Sequence, residues 1–159
     1  MTVPTDALAP VIDGDRAEDV LLHGSQGVGK TVLTRAALDR LDRQQPTPSA
    51  HVHCLGASTA GIVRAILREL PGPDPARTTP RDELIATLQE RVTEPTVVVL
   101  DEGDDLPETD ILDVLRRVPD ISWTAIVDLT ESDPRCCQPD SRPSRRSDRR
   151  EGLSEGIDT

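Results

Sequence analysis

The sequence predicts an α/β domain, a three-layer sandwich with helices on both faces of a mostly parallel sheet. Three observations predict it. Short apolar runs alternate with stretches of helical periodicity between residues 19 and 130, the pattern of repeated strand–helix units. The run Val97-Val98-Val99-Leu100 is apolar on both faces, as a central parallel strand must be. A glycine-rich stretch joins the first strand to the first helix, at the carboxyl edge where open α/β sheets bind ligands.

Residues 1–18 read as a loop-like lead-in, because Pro4, Pro10 and Gly14 punctuate them. Val20-Leu21-Leu22-His23 is a short buried strand. From Thr31 the spacing of Leu33, Ala37 and Leu41 is helical, and Pro46 and Pro48 end that helix. Ala50 to Leu55 fits a second strand. Ile62, Ile66, Leu67 and Leu70 mark a second helix, stopped by Pro71-Gly72-Pro73. A third helix opens with Thr79 as N-cap and Pro80 in its first position, and Asp82 and Glu83 suit its positive end. Leu84, Ile85, Leu88 and Val92 give its apolar stripe. Thr96 to Leu100 is the strongest strand. Ile111, Leu112, Val114 and Leu115 form a short helix, and Ile121 to Leu129 is the fourth strand.

This divides the chain into a lead-in at 1–18, a core at 19–133 and a tail at 134–159. The tail holds six arginines against five acidic residues, has almost no apolar residues and is expected to be disordered. The core has no Phe and no Tyr, and Trp123 is the single aromatic residue, so aliphatic side chains must fill it.

There are 18 basic and 29 acidic residues, a net charge of −11. Such a surface argues against a protein that coats nucleic acid non-specifically. An Asp-rich chain with a single lysine suggests a salt-adapted cytoplasm, with better folding in molar KCl. No segment approaches the ~18 apolar residues of a membrane span. The acidic N-terminus does not read as a signal peptide, and a cytoplasmic location is expected. Cys54, Cys136 and Cys137 make an odd count, which argues against a disulfide framework.

Gly24-Ser25-Gln26-Gly27-Val28-Gly29-Lys30-Thr31 fits G-x-x-x-x-G-K-[ST], the Walker A pattern of P-loop NTPases, in the required strand–loop–helix context. The glycines let successive N–H groups turn toward a phosphate, and the following helix adds its positive end. The segment Gly24 to Val32 is therefore the candidate ATP-binding loop. Lys30 would reach the β- and γ-phosphates and Thr31 would ligate Mg²⁺. Lys30 is the only lysine, so a chain that otherwise uses Arg carries the compact ammonium at this one position. No guanine-reading Asn/Thr-Lys-x-Asp stretch exists, which favours ATP over GTP.

Asp101-Glu102 follows the strongest strand, as a Walker B pair does. Asp101 would hold Mg²⁺ and Glu102 would polarise the attacking water. Adjacent residues leave a strand end in different directions, which suits two distinct roles.

These residues resemble the ATPase domain of archaeal origin-recognition replication initiators, in the AAA+ superfamily. The resemblance covers roughly residues 8 to 130. Beyond the two nucleotide motifs it rests on Leu8-Ala9-Pro10, on Asp19 to Gly24, and on His51-Val52-His53-Cys54, where the family usually has a strand ending in Asn-Cys. It rests also on Asp101-Glu102-Gly103-Asp104-Asp105-Leu106, similar to the family's Asp-Glu-x-Asp-x-Leu, and on Ile111 to Arg117. The resemblance implies an ATPase module in DNA replication initiation.

The sequence departs from the family's pattern in three places. Asp128 stands where the family has a sensor Asn, so it is the third candidate catalytic residue after Lys30 and Glu102. An acid there repels a γ-phosphate unless it carries a proton or pairs with a metal. The lead-in is short. No counterpart of the family's fifth strand, arginine finger, helical lid or winged helix follows the fourth strand, so an incomplete AAA+ core with an uncovered sheet edge is expected.

Weaker signals read as structural. His51 and His53 share one strand face while Cys54 points away, which suggests a polar face rather than a metal site. Cys136-Cys137 and the tail arginines lack partners and stacking aromatics. Trp123 reads as packing.

The expected function is a Mg-ATP-binding AAA+ module, slow or inactive in hydrolysis by itself. A full-length initiator or a second copy would be its partner, and any contact with DNA would be indirect. The alternatives are a non-catalytic remnant or interaction subunit of such an initiator, or another P-loop ATPase family such as a transposition helper.

Overall fold

The computed structural model describes residues 3–106 and 110–128. The predicted tail at 134–159 and the last residue of the predicted fourth strand, Leu129, lie outside the described residues.

Among the described residues four strands form one sheet: β1 (Val20–Gly24), β2 (Ser49–His53), β3 (Thr96–Asp101) and β4 (Ile121–Asp128). Their order is β1-β4-β3-β2 and every pairing is parallel. Five α-helices accompany them among the described residues: α1 (Val3–Leu8), α2 (Lys30–Gln44), α3 (Thr59–Glu69), α4 (Arg81–Arg91) and α5 (Asp110–Arg116). The predicted three-layer sandwich is the observed one, because parallel strands need crossover helices that cover both faces.

β3 is buried along its whole length. Its even-numbered residues Val98 and Leu100 meet α3, α4 and α5 in the larger core, with Ile66, Leu84, Ile111 and Trp123. Its other face gives Val97 to a smaller core with Ala37 and Leu41 of α2 and with Leu8, Val11 and Ala17. Many aliphatic side chains thus do the work that aromatics do elsewhere.

Two expectations are corrected here, those for the lead-in and for the cap of α4. The lead-in is helical over residues 3–13 and loop-like only from Gly14 on. α1 and a 3₁₀ turn at Ala9–Asp13 form there, because proline is tolerated at the start of a helical turn and Gly14 (φ 84°) closes the second turn. Arg16 then ties the segment down, donating from Nε to the Ile121 carbonyl (2.7 Å) and from Nη2 to Asp19 (2.7 Å), while Asp19 accepts the Trp123 N–H. The buried face of α2 is Lys30, Thr34, Ala37 and Leu41, and Leu33 is half-buried. Thr79 does not cap α4. Pro80 is the cap residue, its carbonyl accepts the Leu84 N–H, and the Thr79 carbonyl accepts from Arg64. A smaller shift concerns β2, which ends at His53, with Cys54 turning into the core and Leu55 exposed.

Candidate nucleotide-binding site

The carboxyl edges of β1, β3 and β4 open on a cleft of about 380 Å³. It is lined by Gln26, Gly27, Gly29, Lys30, Thr31, Val32, Asp101, Glu102, Ile126 and Asp128. Parallel alignment explains the convergence, because all strands end on the same side. The β1–β4 register places Gly24 opposite Asp128, so the glycine-rich turn starts beside the end of β4.

The turn from β1 to α2 requires glycine at two points. Gly27 (φ 80°) and Gly29 (φ 87°) are left-handed, a conformation that L side chains rarely adopt. Gly29 is also the N-cap residue of α2. Gly24, Ser25 and Val28 belong to the turn but not to the cleft wall, and Val28 is exposed.

Lys30 lies in the first turn of α2 and is 6% exposed. Its ammonium donates to the carbonyls of Gly24 (3.0 Å) and Ser25 (2.8 Å) and forms an ion pair with Asp128 at 2.5 Å. All three ammonium donors therefore have a partner within the protein. The next residue, Thr31, approaches Asp101, with its Oγ1 3.2 Å from Oδ2 and 3.4 Å from Oδ1. Asp101 is 6% exposed. Its carboxylate also accepts the backbone N–H of Glu102 (3.0 Å) and meets His51 Nε2 at 3.1 Å.

Glu102 is exposed and is the non-glycine residue with positive φ (57°) among the described residues. The chain reverses there into a 3₁₀ turn at Gly103–Asp105. A Cβ on Gly103 would sit 3.1 Å from the Ile126 carbonyl, so glycine lets this turn lie against β4. Cys54 closes the back of the site: its N–H donates to the Asp101 carbonyl (2.9 Å) and its side chain is buried. Burial, and then the nearby charges of Asp101 and Glu102, push its thiol up to about 12.

The structure brings together Lys30, Thr31, Asp101, Glu102 and Asp128, the residues that the sequence singles out. Sequence reasoning missed the contact of His51 with Asp101 and the close approach of Gly103. The His51 contact depends on the strand register, which sets His53 beside Asp101 and which no local pattern carries.

A parallel sheet with a glycine turn and an acidic strand end on one cleft defines a class, the P-loop sandwich. The chain belongs to the AAA ATPase domain family, whose model matches residues 2–123. Among its relatives is "ORC1-type DNA replication protein 9" of Halobacterium salinarum, 28% identical over 133 residues, which cover 80% of this chain and 37% of that protein. "ORC1-type DNA replication protein 8" of the same organism is 34% identical over 122 residues, covering 67% of this chain and 31% of that protein. The chain thus spans less than half the length of these relatives. Among solved structures, the Aeropyrum pernix ORC1 protein in complex with DNA aligns with a TM-score of 0.70 and 24% identity, over 79% of this chain and 37% of that one. CDC6p from Pyrobaculum aerophilum aligns with a TM-score of 0.61 and 23% identity, over 78% and 36%. At that identity the two structures establish the fold alone. The chain is an AAA+ ATPase domain related to ORC1-type replication proteins.

Proposed function

We propose that the chain binds Mg-ATP as a module of the replication-initiator type and turns it over slowly or not at all by itself. The observation that carries this reading is the convergence of Lys30, Thr31 and Asp101 on one cleft below a glycine turn. The residues fit the nucleotide. Gly27 and Gly29 leave the loop backbone uncovered toward the cleft, and Lys30 supplies the cation. They also fit the metal, since a hydroxyl and a carboxylate 3.2 Å apart are the hard oxygen donors that Mg²⁺ takes. Thr31 and Asp101 would hold Mg²⁺, which supplies charge neutralisation on the phosphates when bound. Glu102, at the cleft wall, would orient the attacking water.

Asp128 disfavours turnover. Its carboxylate holds the Lys30 ammonium and adds negative charge where transferred phosphate would gather it. A second reading follows from this residue, a non-catalytic interaction subunit that uses ATP as a structural ligand. In both readings the partner is a full-length initiator or a second copy. The net charge of −11 argues for indirect contact with DNA. The proposed setting is a salt-adapted cytoplasm, and no described helix is long and apolar enough to cross a membrane.

The test is calorimetric titration of ATP into the full chain, with Mg²⁺ and with EDTA. Saturable 1:1 binding that EDTA and Asp101→Asn each weaken is the expected result. Absence of binding, or binding indifferent to both changes, would overturn the reading.

A further inference from the structure

His51 and His53 have no part in the nucleotide reading. They project from the same face of β2, and the β2–β3 register puts His53 directly beside Asp101. His51 Nε2 is 3.1 Å and His53 Nδ1 is 4.0 Å from Asp101 Oδ2. The two rings lie 5.6 Å apart, and one ligand atom from each of the three residues falls within 4.8 Å of the others.

We propose that His51, His53 and Asp101 form a binding site for Zn²⁺ or a similar divalent transition metal. Two imidazoles and a carboxylate are the donor set that such borderline cations prefer, whereas Mg²⁺ takes oxygens. A tetrahedral ion with bonds of about 2.0–2.1 Å sets its ligand atoms roughly 3.3 Å apart. His51 and Asp101 already stand near that separation. The three ligand atoms lie within 4.8 Å of one another, so the His53 ring must close by about 0.7 Å on Asp101 and by up to about 1.5 Å on His51; it is 63% exposed and free to turn. Three protein ligands leave one position open. A cleft of about 310 Å³ admits the ion, lined by both histidines with Arg35, Leu38, Asp39 and Ser49. Asp39 partly offsets the Arg35 charge there. Cys54, next along the chain, is buried on the opposite face in the larger core and is not a ligand.

Asp101 is the shared element. Its Oδ2 contacts both Thr31 and His51, so a transition metal held by the histidines draws on the carboxylate assigned to Mg²⁺. Occupancy of one site therefore opposes occupancy of the other, with equal coupling in both directions. This consequence rests on the nucleotide reading; the metal site does not.

The test is titration of the tag-free full chain with Co²⁺, followed by its visible ligand-field absorption. One equivalent is expected to bind and to be displaced by Zn²⁺. His53→Ala, at an exposed position that folding does not need, is expected to weaken binding at least tenfold, and His51→Ala/His53→Ala to abolish the signal. Lys30→Ala, which removes the nucleotide contact, is expected to bind Co²⁺ as the wild type does, so the two readings fail separately. No cobalt signal in the wild type, or a signal that survives in the double variant, overturns the proposal. One equivalent of Zn²⁺ is expected to weaken Mg-ATP binding at least threefold in the wild type and not in the double variant. Equal affinities would overturn the shared use of Asp101.

Discussion

Replacing Asp128 by Asn is expected to tighten ATP binding. Asp128 sits at the end of β4, opposite Gly24, and its Oδ1 is 2.5 Å from the Lys30 ammonium. A phosphate that takes the same ammonium competes with a carboxylate. Two anions bound to one ammonium lie roughly 5 Å apart, and at an effective dielectric of 20 they repel by about 3 kcal/mol. The Asp128 side chain is 35% exposed, and solvent screening reduces the repulsion to about 1–1.4 kcal/mol. That corresponds to roughly 5- to 10-fold in Kd. Asn keeps the shape and an acceptor oxygen for Lys30, so the change isolates charge. The assay is calorimetric titration of Mg-ATP into both chains at low and at molar KCl. The gain is expected to shrink in molar salt, where the screening length falls to about 3 Å. Equal or weaker affinity in the Asn variant at both salts would refute the reasoning, because Asp128 would then assist the phosphate rather than oppose it.

Ile66→Ala should cost about 2–5 kcal/mol, a large share of the stability of a small domain, since Ile66 is fully buried where α3 meets the larger core. Denaturant melts check this, and a loss under 1 kcal/mol would mean that the core is not packed as described. In a Cys136→Ser/Cys137→Ser background Cys54 should resist thiol reagents at pH 8 until the chain unfolds, because a thiol raised from 9.0 to about 12 is almost wholly protonated there. The same shift has a sign for stability. The folded state keeps the proton between pH 9 and 12 while the unfolded state releases it, so the Cys54 contribution is intact below pH 9 and is lost as pH rises toward 12. Rapid labelling of the native chain would contradict both statements.

The parts of the fold legible in the sequence were those with a local signal. β3 was legible because four apolar residues in a row fit a strand covered on both faces. The glycine turn was legible because its chemistry demands fixed residues at fixed spacing, all within one segment. α1 was not, since Pro4 and Pro10 mark the starts of helical turns as readily as they mark loops, and burial of Leu8 and Val11 against α2 decides the matter. On α2 the buried stripe runs through Lys30, Thr34, Ala37 and Leu41, and Leu33 lies at its margin, which the spacing of Leu33, Ala37 and Leu41 does not distinguish. The pairing of Lys30 with Asp128 and of His51 with Asp101 depends on strand register. Neither local pattern nor composition carries register across such separations.

The central claim is that Lys30, Thr31 and Asp101 make a Mg-ATP site in a folded domain. The most direct measurement is a thermal melt in molar KCl, with and without Mg-ATP, for the wild type and Lys30→Ala. ATP at about 100 times its Kd stabilises by about 2.7 kcal/mol, on the order of 10 °C in Tm for a domain of this size. A cooperative melt raised by that amount in the wild type, and unmoved by ATP in Lys30→Ala, is the predicted result. A cooperative wild-type melt indifferent to Mg-ATP, or one raised equally in Lys30→Ala, would contradict the claim.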